Sequence, residues 1–240
     1  MKRIAYLLTM AAVAVVSCQP SDKTFPDVRS FGMSGDVKEV YASTIDPELE
    51  AEGEDPVLEP EILEFSFDEL GRVTEDDSGN NLEYDAQGNL VSEYQELSRD
   101  DKGRIVKFAY NVLDEEGELL DENLDVLDYC EIEYSYDAQG RMIQVNYYGW
   151  EWSATYTFEY NGNDIYPSKV SMKGSGEGWI DEVTSTYEYL TFDDRGNWTS
   201  RNVDQVRKSY EEPWEENPEP EVETTEILNR QLRRITYWSE

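Results

Sequence analysis

The heptad Tyr136-Asp137-Ala138-Gln139-Gly140-Arg141-Met142 recurs almost unchanged as Tyr84-Asp85-Ala86-Gln87-Gly88-Asn89-Leu90, and this repetition confines the chain to few folds. The shared template is an aromatic residue, Asp, two free positions, Gly, a polar residue and an apolar one. Looser copies are Phe67-Asp68 with Gly71-Arg72-Val73, Asp100 with Gly103-Arg104-Ile105, Leu113-Asp114 with Gly117-Glu118-Leu119, and Phe192-Asp193 with Gly196-Asn197-Trp198. An Asp that opens a four-residue turn accepts a hydrogen bond from the backbone two residues on. The Gly then supplies the positive φ of a type I turn with a G1 bulge. Such turns join antiparallel strands, so the expectation is a repeat of β-hairpins. The repeat glycines stand at 71, 88, 103, 117, 140 and 196, an irregular period with insertions between units. A degenerate unit, Phe158-Glu159-Tyr160-Asn161-Gly162-Asn163, falls in the longest gap.

The flanks agree with the turns. Ile132, Tyr134 and Tyr136 alternate with Glu131, Glu133 and Ser135, and Ile143, Val145 and Tyr147 alternate with Gln144 and Asn146. A period of two means strands with one buried and one wet face. On this pattern strands are predicted at 37–41, 63–67, 81–84, 90–97, 104–110, 131–136, 141–148, 152–160, 168–173, 183–192, 197–203 and 230–238. Gly174-Ser175-Gly176-Glu177-Gly178 reads as a flexible hairpin tip. The segment 113–128 fits a helical turn or a ragged hairpin equally well. The expected fold is all-β, a single repeat domain over 31–240 with acidic loop insertions near 46–61 and 211–226.

Read as calcium loops, the Asp-x-x-Gly turns fall short. A calcium site needs six to eight converging oxygens, and each turn offers one or two carboxylates. Plain turn chemistry is the preferred reading, with no metal and no cofactor expected. The chain has 54 acidic and 20 basic residues, no His, and a formal net charge of −34. So acidic a surface is repelled by nucleic acid and by anionic headgroups. Without His, Ser-His-Asp and Cys-His catalysis and the usual zinc sites are excluded. No glycine-rich phosphate loop precedes a helix. A carboxylate pair could hydrolyse a glycoside, but among 54 acidic residues such pairs arise by chance and single out no site. The expectation is therefore a protein without catalytic residues.

The N-terminus reads as an address. Met1-Lys2-Arg3 is a short basic start, and the apolar run from Ile4 to Val16 is too short for a permanent span but fits a signal peptide over 1–17. Val15-Val16-Ser17-Cys18 resembles a bacterial lipobox, which makes Cys18 the expected lipidation site, followed by a tether through residue 30. The competing reading is an ordinary secretory signal with an incidental Cys. More than one acyl chain at such a terminus suffices for stable anchoring, so the membrane is an expected partner. The expected location is extracytoplasmic, at the outer membrane. Cys130 is then alone in an oxidising compartment and is expected as a buried small hydrophobe.

Gly32-Met33-Ser34-Gly35-Asp36-Val37-Lys38-Glu39-Val40, the Tyr-Asp-x-x-Gly units, Asp193 to Arg201 and the closing Arg234-Ile235-Thr236-Tyr237-Trp238 together resemble Bacteroidota lipoproteins built from degenerate RHS/YD-type repeats. The resemblance implies an elongated, twisted antiparallel sheet of hairpins, partly wrapped on itself. It carries no established activity and no catalytic residues. This chain departs from the pattern in its two acidic insertions and in irregular units near 100–120.

Binding remains the more specific functional reading. Trp150, Trp152 and Trp179 could offer flat rings to a glycan or peptide, with acidic loops accepting hydrogen bonds from hydroxyls. The competing reading is that these rings cover the sheet. Trp198, in place of the usual apolar residue after a turn, is expected in the core. A binding or interaction module is thus expected, with carbohydrate as ligand; the alternative is an envelope protein acting through protein contacts at sheet edges.

Overall fold

The computed structural model describes residues 26–45, 62–76, 81–92, 95–111, 129–213 and 219–239. Signal residues 1–17, Cys18, the acidic loop 46–61, the turn copy at 113–119 and the ambiguous segment 113–128 lie outside the described residues. Within them a helical turn, α1 (Asp27–Ser30), precedes twelve strands. These are β1 (Val37–Ile45), β2 (Ile62–Phe67), β3 (Val73–Asp76), β4 (Gln95–Arg99), β5 (Ile105–Asn111), β6 (Tyr129–Tyr136), β7 (Met142–Gly149), β8 (Trp152–Tyr160), β9 (Pro167–Gly176), β10 (Trp179–Phe192), β11 (Trp198–Glu211) and β12 (Glu223–Tyr237). They form one antiparallel sheet in the order β3-β2-β1-β12-β11-β10-β9-β8-β7-β6-β5-β4.

Five copies of the repeat turn fall among the described residues and share one geometry. In the copy at 137–140, the Asp137 Oδ1 accepts the backbone N–H groups of Gln139 and Arg141, both at 2.9 Å. Gly140, at φ +86°, donates its N–H to the Asp137 carbonyl at 3.1 Å. Gly71, Gly88, Gly103 and Gly196 adopt the same left-handed φ in the same place. The even-numbered strands β2, β4, β6 and β10 all end in such a turn, so these turns gather at one end of the sheet. The connections β7–β8 and β9–β10 lie at the other end.

The Tyr and Arg of the motif act between units. Arg141 pairs with its own Asp137 at 2.7 Å and lies 4.4 Å over the ring of Tyr160, whose hydroxyl donates to the Met142 carbonyl at 2.6 Å. Arg104, Asp100 and Tyr136 repeat this arrangement, with Tyr136 donating to the Ile105 carbonyl. Arg72, Asp68 and Tyr84 repeat it again, with Tyr84 donating to the Val73 carbonyl. Each guanidinium joins a cation–π contact to a short ion pair, so one turn is clamped to the segment beyond it. In the last turn Asn197 replaces Arg. It is fully buried and holds the opening segment, accepting from the Ser34 N–H at 2.7 Å and donating to the Ser34 carbonyl at 2.9 Å.

The sheet curls. β2 and β6 are eight neighbours apart in the strand order. In a flat sheet that is roughly 38 Å at about 4.8 Å per strand. Yet Phe31 stands 4.5 Å from Phe65 on β2 and 6.3 Å from Tyr134 on β6, ring centre to ring centre. Val37, Val40, Phe67, Ile105, Ile132 and Val145, drawn from both halves of the order, share one core with Phe31 packed against it. The sheet is not closed into a barrel, because β3 and β4 do not pair. Asp27 of α1 bridges that seam. Its buried carboxylate accepts from Arg99 of β4 at 2.5 and 2.8 Å and from the Val73 N–H of β3 at 3.1 Å. Residues 26–30, read from sequence as the end of a tether, are thus part of the fold, with Asp27, Val28 and Ser30 buried.

Other differences are local. Of the strands predicted at 81–84 and 90–97, residues 81–92 form only isolated bridges, Glu75 with Asn81 and Tyr84 with Leu90, while residues 95–97 belong to β4. The acidic segment expected at 211–226 is shorter, since β11 runs to Glu211 and β12 begins at Glu223. Gly174 and Gly176 belong to β9, so the hairpin tip is confined to Glu177 and Gly178. Cys130 and Trp198 are buried, at 4 % and 2 % exposure, as the pattern required.

Candidate functional site on the concave face

Away from the repeat turns, the sheet ends in a row of directly opposed residues. Gly149 pairs with Trp152, Trp152 with Gly176, and Gly176 with Trp179. Opposed residues of antiparallel neighbours project to the same face. That face is the concave one: Tyr147, two residues before Gly149, lines the interior and stacks on Trp152 at 6.5 Å. Trp152 and Trp179 remain 45 % and 52 % exposed, enough for a ligand to reach both rings.

Glycine shapes this row. A Cβ at Gly149 would stand 2.0 Å from the Nε1 of Trp152, so the indole can lie there only over a bare backbone. At Gly176 a Cβ would meet that of Trp152 at 2.9 Å. Gly174, two residues back on β9, opposes Ala154 on β8 and Asp181 on β10. The result is a trough floored by Gly174 and Gly176, with Trp152 and Ala154 on one side and Trp179 and Asp181 on the other. Its walls are two strand spacings apart, roughly 10 Å.

Asp181 supplies polarity beside the rings. Its carboxylate accepts from the hydroxyl of Ser209 and from the guanidinium of Arg207 at 3.0 and 3.1 Å. The Ser209 hydrogen bond, then the Arg207 contact, outweigh partial burial and hold its carboxyl below the usual range. It therefore stays ionised at neutral pH, an acceptor of fixed orientation next to Trp179.

Deeper on the same face is a cavity of about 380 Å³ lined by aromatic and aliphatic side chains, with Arg201 and Arg233 as its charged members. Arg233 pairs with Glu64 at 2.6 Å and stacks on Trp198 at 4.0 Å. Burial lowers its basicity despite the Glu64 charge. Burial also pushes Tyr160 and Tyr166 up to about 12, so both stay neutral hydrogen-bonding groups.

Of the sequence candidates, the structure brings Trp152 and Trp179 to one face and leaves Trp150 in the β7–β8 turn, outside the row. Sequence reading missed Gly174, Gly176, Asp181, Arg201 and Arg233. The two-residue spacing of Gly174 and Gly176 was the available signal, since alternate glycines in a strand bare one face. Cys18 lies outside the described residues. Among the described residues no cluster of acidic or thiol groups is arranged to hold a metal ion.

Fold and site together define an all-β protein made of one curled antiparallel sheet with an aromatic concave face. No protein-family model and no curated protein matches the chain. Among solved structures it is similar to a porin-like protein from Bacteroides uniformis, with a TM-score of 0.40 and 11 % identity over 85 % of this chain and 99 % of that one.

Proposed function

We propose that this chain is a non-catalytic, lipid-anchored extracytoplasmic module that binds carbohydrate in the trough between Trp152 and Trp179. The observation that carries the reading is the row Trp152, Gly176, Trp179: two exposed indoles on one face with a bare backbone between them. A sugar presents apolar C–H faces that stack on indole and hydroxyls that need directed partners. Asp181 and Arg207 are placed to offer an acceptor and donors beside the rings. The location rests on the basic start, the short apolar run and Cys18. The mature chain should appear in the detergent-soluble membrane fraction and move to the soluble fraction on Cys18→Ser.

The binding reading is tested on a glycan array followed by calorimetry. A glycan bound by the wild type should lose at least tenfold in affinity on Trp152→Ala or Trp179→Ala, with the circular dichroism spectrum and melting temperature retained. Undiminished affinity in both variants, or a wild type that binds no glycan on the array, overturns the proposal.

A further inference from the structure

From the cavity rather than the trough, we infer a second site: the deep aromatic cavity takes a small apolar molecule bearing a carboxylate, which Arg201 receives. The chain carries a net charge of −34, yet the ionisable side chains lining this cavity are Arg201, Arg233 and phenols, with no Asp or Glu. Both guanidiniums stack on the ring of Trp198, at 4.2 and 4.0 Å, so two like charges are held close together in an apolar setting. Glu64 neutralises Arg233. Among the described residues no carboxylate makes an ion pair with Arg201.

Arg201 is instead held in place by neutral groups. Its Nε donates to the Gln231 Oε1 at 2.8 Å, and its guanidinium stacks on Tyr187 at 4.1 Å. A half-buried cation oriented by neutral partners, with the nearby counter-charge already committed, is costly on its own and favourable once an anion arrives. The guanidinium fork matches a carboxylate bidentately. The rest of the wall, including Phe31, Tyr147, Tyr156 and Phe158, suits a flat apolar body. The volume of about 380 Å³ is within the range of small-molecule pockets, roughly 300–1,000 Å³.

The probes are 2-naphthoate and its neutral analogue 2-naphthylmethanol, titrated into the full chain by calorimetry and followed by tryptophan fluorescence. The wild type should bind naphthoate at one saturable site at least tenfold more tightly than the alcohol. Arg201→Met should remove that preference, lowering the acid's affinity to the alcohol's and leaving the alcohol unchanged. Trp179→Ala should leave naphthoate binding intact, which separates failure here from failure of the carbohydrate reading. No saturable naphthoate binding, equal affinity for acid and alcohol, or an Arg201→Met variant that keeps the preference each overturns the inference. Should Arg201→Met not fold, the acid-to-alcohol ratio of the wild type decides alone.

Discussion

Replacing Asp27 by Asn should unlatch the seam between β3 and β4. The carboxylate is completely buried and takes hydrogen bonds from both terminal guanidinium nitrogens of Arg99 and from the Val73 N–H, so one side chain joins both free edges of the sheet. Asn can keep the Val73 contact but removes the negative charge that Asp27 sets against Arg99, whose side chain is 14 % exposed. Removing one partner of a buried ion pair costs about 3–5 kcal/mol. For a fold of this size each kcal/mol moves the melting temperature by about 2–4 °C, so the expected drop is about 6–20 °C. Thermal unfolding followed by circular dichroism measures it. Asp27→Asn combined with Arg99→Met should also be less destabilised than the sum of the two single variants, because the two side chains interact directly. A drop below about 2 °C for Asp27→Asn, or strict additivity in the double variant, would refute the latch.

Arg141→Ala removes an ion pair to Asp137, a cation–π contact to Tyr160 and donations to the Gly162 and Asp164 carbonyls. It should cost about 1–2 kcal/mol in chemical denaturation, with Arg141→Lys recovering less than half because Lys lacks the planar fork. Gly140→Val forces a branched residue into φ +86° and should cost about 1–2 kcal/mol or more, whereas Gly174→Ala, where a Cβ meets nothing closer than 3.4 Å, should change stability little. Burial pushes Tyr84, Tyr160 and Tyr166 up to about 12. A group with a raised folded pKa contributes stability that is complete below its unfolded value, about 10, and lost as pH climbs toward 12. The melting temperature should therefore fall over pH 10–12, with phenolate absorbance appearing together with unfolding and not before it. At the acid end, burial raises the carboxyl of Asp137, but the Arg141 guanidinium and backbone donors outweigh it and hold the group low. That contribution is present above about pH 4 and should fade as pH drops further.

The repeat turns were legible because their cause is local: Asp137 and Gly140 are three residues apart and determine the turn by themselves. β8 was read to its ends at 152 and 160 for a similar reason, since its alternation is uninterrupted. What the residues did not disclose depends on distance along the chain. The pairing of β1 with β12 joins Val37 to Tyr237, and no local pattern announces it. Asp27 sits in a stretch whose composition suits a tether, and its role appears only when β3 and β4 are brought to either side of it. The trough was hidden by the ambiguity of glycine, which bares one face of β9 at Gly174 and Gly176 but enters a turn at Gly178. Arg201 and Arg233 were hidden because inward-facing charges interrupt the period that identifies a buried face.

The curl of the sheet around Phe31 underlies the seam latch, the cavity and the trough alike, and proton NMR on a deuterated chain with protonated Phe and Tyr rings tests it directly. Cross-relaxation is expected from the Phe31 ring to both Phe65 on β2 and Tyr134 on β6, whose ring centres stand 4.5 and 6.3 Å away. Contact to Phe65 with none to Tyr134 would mean a flat or open sheet, and would contradict it.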